Sequence, residues 1–219
     1  IPASRILTPG SDMTDRVEVK ICGLTSVEDA RAALDLGADY LGFVLYGLSP
    51  RCITPHQLAR IVGALPASAR VIPVFVNESR VVVEQVAADC RAHAVQLHGD
   101  EKDVEFMDMA VPAWRAVWRR GGQWSPSPGE WAAARYVVDA AARGVYGGAG
   151  LTADWPAAAA LAAGHPVMLA GGLTPENVGE AVRTVRPLGV DVVSGVESSP
   201  GKKDVKKLEA FFRQVRANE

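Results

Sequence analysis

From Val17 to the C-terminus, short β-branched apolar runs alternate with segments whose apolar residues recur three and four positions apart. The runs Val17–Ile21, Tyr40–Leu45, Val71–Val76, Ala94–Leu97, Trp114–Trp118, Tyr136–Val138, Val167–Ala170 and Val190–Val193 predict eight strands. Between them, Leu58, Ile61, Val62 and Leu65, and again Val178, Ala181, Val182 and Val185, each fall on one helix face, while Val205, Leu208, Phe212 and Val215 predict a closing helix. Helix starts are marked by Thr25-x-x-Glu28 and Thr54-x-x-Gln57, which read as capping boxes, and by Pro in the first helical position in Thr54-Pro55 and Thr174-Pro175. From Asp100 to Glu130 the helical pattern fades, and Gly121 to Gly129 reads as a loop by composition.

Eight strand–helix repeats without a linker-like break predict an α/β protein folded as one domain, a (β/α)8 barrel, because open doubly wound sheets more often use five or six strands. In such barrels chemistry gathers at the C-terminal ends of the strands. The residues that matter are therefore those that follow each apolar run.

Composition narrows the function classes. The 219 residues carry 23 Lys and Arg against 25 Asp and Glu, with no long basic run, which argues against nucleic acid as a partner. The longest apolar stretch, Tyr40 to Leu48, falls far short of the ~20 residues a bilayer span needs, and no signal-peptide pattern is visible. Three widely spaced cysteines fit neither a disulfide framework nor a metal site, so a reducing cytoplasm is expected. Residues 1–12 lack periodicity and end at Met13; they are expected to be an expression leader or extension, with the barrel over 13–219.

At the strand ends, Lys20-Ile21-Cys22-Gly23-Leu24-Thr25 places a thiol at the barrel mouth, and Ser49-Pro50-Arg51 presents a guanidinium whose planar fork suits a carboxylate. The sixth strand ends in Val138-Asp139, followed by Gly147-Gly148-Ala149-Gly150; the seventh ends in Ala170-Gly171-Gly172-Leu173-Thr174-Pro175, the eighth in Val193-Ser194-Gly195-Val196-Glu197. A lone Cys is more often a small buried residue, an Asp after a strand often a turn cap, and a single Gly simple turn chemistry. Glycine in three consecutive loops predicts more: after the seventh and eighth strands this fold commonly binds phosphate on backbone N–H groups. A phosphate held there would lie between Asp139 and Cys22, an acid and a base.

These strand ends, with Gln96-Leu97-His98-Gly99, Asp191-Val192-Val193-Ser194-Gly195-Val196-Glu197 and the following Ser199-Pro200-Gly201-Lys202-Lys203-Asp204, resemble the phosphoribosylanthranilate isomerase family of tryptophan biosynthesis, in order from about Val17 to Arg216. The resemblance implies a cofactor-free, metal-free Amadori rearrangement of N-(5-phosphoribosyl)anthranilate to 1-(2-carboxyphenylamino)-1-deoxyribulose 5-phosphate. It further implies Asp139 as general acid, Cys22 as general base, Arg51 on the anthranilate carboxylate, and the loops at Gly148, Gly171, Gly172, Ser194 and Gly195 on the phosphate. The family includes monomers and homodimers. For this chemistry Cys22 should sit among positive groups, with Lys20, Arg51 or helix N-termini as candidates, and Asp139 must hold a proton to donate.

Where the family usually reads Gly-Gly-Thr-Gly-Lys-Thr-Phe-Asp-Trp, this chain has Gly147-Gly148-Ala149-Gly150-Leu151-Thr152-Ala153-Asp154-Trp155. The lost hydroxyl, Lys and Phe bear on phosphate affinity or loop closure. His98 matches a family motif but reads as a hydrogen-bonded structural residue. The competing readings are another phosphosugar-barrel enzyme, or a non-catalytic paralogue that keeps the phosphate pocket.

Overall fold

The structure, a computed structural model, describes residues 16–140 and 153–219. In chain order the strands are β1 (Glu18–Ile21), β2 (Tyr40–Val44), β3 (Val71–Phe75), β4 (Val95–Leu97), β5 (Ala113–Arg120), the short β6 (Gln123–Ser125), β7 (Arg135–Val138), β8 (Val167–Leu169) and β9 (Gly189–Val192). All but β6 run parallel; β5 pairs with both β4 and β7, and β1 with β9, which closes an eight-stranded barrel. The expected (β/α)8 fold is the observed one. The helices are α1 (Val27–Asp35), α2 (Pro55–Gly63), α3 (Arg80–Asp89), the single turn α4 (Asp103–Phe106), α5 (Trp155–Ala162), α6 (Val178–Val185) and α7 (Val205–Arg216). A small hairpin of β10 (Glu197–Ser199) and β11 (Lys202–Lys203) lies between β9 and α7.

Strands of a parallel barrel are covered on both faces, which is why they read as continuous apolar runs. Tyr40, Ile72, Ala94, Trp114, Val137, Met168 and Ala170 form one buried cluster, and their strand neighbours Leu41, Val71, Val95 and Val138 belong to a second, larger one. The period of two thus sends alternate side chains into the barrel and out to the helices. Leu58, Ile61 and Val62 of α2 and Leu208, Phe211, Phe212 and Val215 of α7 fill that outer layer, each large side chain contributing about 1.5–3 kcal/mol by burial. At the N-terminal end, Arg135 lies over the rings of Tyr40 and Trp114 and pairs with Glu18, so charge plugs the barrel bottom. Among the described residues no helix is long and apolar enough to cross a membrane.

Local signals held unevenly. Thr54 caps α2 as a complete capping box with Gln57, and Pro55 opens the helix. At α1 the cap is Ser26 rather than Thr25: Ser26 Oγ accepts from Asp29 N at 3.2 Å, because the Thr25 hydroxyl is committed to Gly201 O at 2.6 Å. Helix α6 begins at Val178, three residues after Pro175, since Asn177 ties Thr174 N and Gly172 O into a turn first. Leu65 lies past the end of α2, although it is still buried, and Val205 is exposed at the start of α7. The expected loop Gly121–Gly129 contains β6, which folds back on β5 with Trp118 opposite Ser125. Gly121 and Gly122 both have positive φ, +55° and +84°, as a two-residue hairpin turn of the primed type requires.

Candidate active site

Cys22 follows β1 directly and is buried, with its N–H donated to Val192 O of β9 at 2.9 Å. It fits only because β2 carries Gly42: a Cβ there would lie 2.5 Å from Cys22 Sγ and 2.9 Å from its Cβ. Gly42→Ala is therefore expected to displace the thiol and lower kcat on the order of 10²-fold, since misplacement of about 1 Å has that cost; steady-state kinetics with a thermal melt would show it, and a variant with unchanged kcat would contradict it. Beside the thiol, Lys20 is fully buried and its Nζ contacts Asp191 Oδ2 at 2.8 Å, as their opposed register in β1 and β9 dictates. Burial pulls the Lys20 ammonium down, but Asp191 and Cys22 outweigh it, so the group stays charged. The cationic neighbours expected of Cys22 include Lys20, with Lys203 beside it, and both pull the thiol down; burial is the larger cause and pushes it up, with Asp191 adding to the rise.

Arg51 is not spent on Cys22. Its Nε donates to Glu197 Oε1 at 2.9 Å and its Nη2 to Oε2 at 2.7 Å, a bidentate pair, and its stem crosses the β1 loop where a Cβ on Gly23 would be 2.7 Å from Arg51 Cδ. Glu197 also accepts from Lys203 Nζ at 3.0 Å, and these two cations hold its carboxyl below the ordinary range despite burial. Among the described residues the Nη1 edge of Arg51 makes no hydrogen bond. Lys203 was given no role in the sequence, where it stands only within the Ser199–Asp204 segment.

Asp139 ends β7. Its Oδ1 accepts from Ala140 N at 2.7 Å, and His98 Nε2 stands 3.2 Å from Oδ2. Gln96 Nε2 meets His98 Nδ1 at 2.8 Å, so with the amide donating, the ring proton sits on Nε2 and points at Asp139. His98 thus belongs to the site, beside a residue it was not expected to touch. The loop that carries it is pinned from below: Arg115 of β5 donates to Leu97 O at 3.0 Å, Gly99 O at 2.7 Å and Glu101 Oε2 at 2.6 Å, and lies over the Trp131 ring.

The glycine loops after β8 and β9 meet. A Cβ on Gly195 would fall 1.9 Å from Leu173 O, and one on Gly171, whose φ is +76°, would fall 2.6 Å from Ala140 N and 3.1 Å from Asp139 Oδ1. Only glycine allows both that conformation and that approach. Among the described residues, the N–H groups of Gly171, Gly172, Ser194 and Gly195 donate to no backbone carbonyl. Around the ring, β7, β8, β9 and β1 are consecutive, so these loops lie between Asp139 and Cys22. Gly148, Ala149 and Leu151 lie outside the described residues; Ala153 is buried just before α5.

A family model described as N-(5'phosphoribosyl)anthranilate (PRA) isomerase matches residues 19–214. The chain belongs to that family. It is 46% identical over 201 residues to the N-(5'-phosphoribosyl)anthranilate isomerase of Geobacter sulfurreducens, covering 91% of this chain and 98% of the relative. Among solved structures, the phosphoribosyl anthranilate isomerase of Thermus thermophilus superposes with a TM-score of 0.82 at 33% identity, covering 93% of this chain and all of that one. A second, described as phosphoribosyl anthranilate isomerase in complex with reduced 1-(o-carboxyphenylamino)-1-deoxyribulose 5-phosphate, has a TM-score of 0.78 at 34% identity, with 92% of this chain and 99% of that chain covered. The family match runs through every strand of the barrel, and enzymes of this fold carry their chemistry at the C-terminal strand ends.

Proposed function

We propose that the protein catalyses the Amadori rearrangement of N-(5'-phosphoribosyl)anthranilate to 1-(2-carboxyphenylamino)-1-deoxyribulose 5-phosphate, a step of tryptophan biosynthesis, without metal or organic cofactor. The observation that carries this reading is the placement of a carboxyl and a thiol on the two strands that flank a pair of touching glycine loops whose N–H groups, among the described residues, donate to no backbone carbonyl. The N–H groups of Gly171, Gly172, Ser194 and Gly195 suit a phosphate, with Gly148 as the further contact, and the free edge of Arg51 suits the anthranilate carboxylate.

Asp139 donates a proton to the furanose ring oxygen; the C1′–O bond breaks, and the nitrogen lone pair forms a protonated Schiff base. Cys22, as thiolate, removes the C2′ proton, and that bond's electrons neutralise the iminium to give an enolamine. Protonation at C1′ with loss of the C2′ hydroxyl proton yields the ketone. Catalysis thus consists of placing two proton-transfer groups against one held substrate.

His98 is a positioning residue here: its N–H fixes the plane of Asp139. His98→Asn is expected to lower kcat about tenfold with little change in KM, because it loosens the acid without touching the phosphate or carboxylate grips. An unchanged kcat would remove His98 from the account. The proposal itself is tested by adding the protein to enzymatically generated phosphoribosylanthranilate and following the loss of anthranilate-type fluorescence. Rapid loss is expected; tight binding of the reduced product analogue with no turnover would favour a non-catalytic binding protein instead.

A further inference from the structure

The β10–β11 hairpin places Glu197 opposite Lys203, and the lysine side chain runs from there into the barrel mouth, where it is fully buried. Its ammonium uses all three of its donors: Cys22 O at 2.6 Å, Val193 O at 3.0 Å and Glu197 Oε1 at 3.0 Å. One group thus joins the end of β1, the end of β9 and the carboxylate that holds Arg51.

The charges around the thiol do not cancel. Lys20 from β1 is matched by Asp191 from β9. Lys203 from β11 and Arg51 from the loop after β2 share the single carboxylate of Glu197. On the β2 side the wall is Gly42, which brings no charge. Of these, Lys20, Lys203 and Asp191 act on the thiol itself, two cations against one anion, and the anion that would complete the set is a thiolate at Cys22. A buried charge is tolerated only where it is paired, so this arrangement favours ionised Cys22 against the burial that opposes it.

We propose that Lys203 is a positioning residue for the base: it fixes Cys22 through its main-chain carbonyl, and it supplies the cationic charge, uncancelled by Glu197, that stabilises the thiolate. This rests on the reading of Cys22 as the base. The titration effects run the same way: Lys203 opposes the rise that burial causes at Cys22, and Cys22 in turn, with Glu197, opposes the fall that burial causes at Lys203. The segment Ser199-Pro200-Gly201-Lys202-Lys203 then has a function beyond turning the chain: it delivers one ammonium under the catalytic strand end.

The test reads the thiol and not turnover, so its failure and the failure of the proposed reaction are separable. Ultraviolet thiolate absorbance is followed against pH in a Cys52→Ser background, with Cys22→Ala as the blank, for the parent, Lys203→Met and Glu197→Gln. Lys203→Met should carry about tenfold less thiolate at a given pH, a shift of about one pH unit in midpoint. Glu197→Gln, which is isosteric, should shift the midpoint the other way, because Lys203 and Arg51 lose their counter-charge. Lys203→Arg, which keeps the charge, should restore most of the lost thiolate. A loosened but uncharged role for Lys203 cannot move the two midpoints in opposite directions. Should Lys203→Met fail to fold, Glu197→Gln still decides: an unmoved or raised midpoint in that variant overturns the proposal, as does an unmoved midpoint in folded Lys203→Met.

Discussion

Asp139→Asn is expected to lower kcat on the order of 10²–10⁴-fold with only a modest change in KM. An amide keeps the size of the carboxyl and can still accept from Ala140 N, so the loop should hold its shape. What it cannot do is pass a proton to the furanose oxygen, and ring opening would then rely on water. Substrate grip should survive, because the contacts proposed for the carboxylate and the phosphate lie on Arg51 and on the loops after β8 and β9. Steady-state kinetics on the two proteins side by side would show the split; a variant with full kcat would remove Asp139 from the mechanism, and one that loses only KM would make it a binding residue.

Arg115→Ala is expected to cost about 3–5 kcal/mol of stability, because it leaves a buried carboxylate uncompensated. Glu101 accepts from Asn77 N and Gly99 N, both at 2.8 Å, as well as from Arg115, so one ion pair organises the loops after β3 and β4 together. For a chain of this size that loss corresponds to a fall in Tm of roughly 6–20 °C. Urea or thermal unfolding of the variant measures it, and Arg115→Met combined with Glu101→Gln should recover part of the loss, since removing both charges spares the orphan. A change of less than about 1 kcal/mol would mean that water or relaxation takes over the role of Arg115. The same substitution should also weaken catalysis mildly, because His98 rides on the loop that Arg115 holds.

The barrel was legible because its strands are buried on both faces and therefore spell themselves out as apolar runs, and because the strand ends Cys22 and Asp139 are adjacent in sequence to those runs. The partners of those residues were not legible. His98 and Asp139 are 41 positions apart and meet only because β4 and β7 flank β5. Glu101 and Arg115 look like two ordinary loop and strand charges until the barrel places them together. Lys203 is hidden for a related reason: Lys202-Lys203 has the look of a solvated pair, and only the hairpin register turns the second inward. At Cys22, Lys20 was legible as a nearby cation and burial as the common fate of a lone Cys, but not that burial outweighs the cations. The capping error at α1 is smaller in kind: Thr25 and Ser26 can both cap, and the choice was made 176 positions away, at Gly201.

The most direct test of the account is the turnover of phosphoribosylanthranilate by the wild type beside Cys22→Ala, each checked for an intact fold. The account predicts rapid fluorescence loss with the wild type and a kcat lower by about 10²–10⁴-fold, at similar KM, when the thiol is gone. Equal rates in the two proteins would contradict it, since the C2′ proton would then be leaving to some other base.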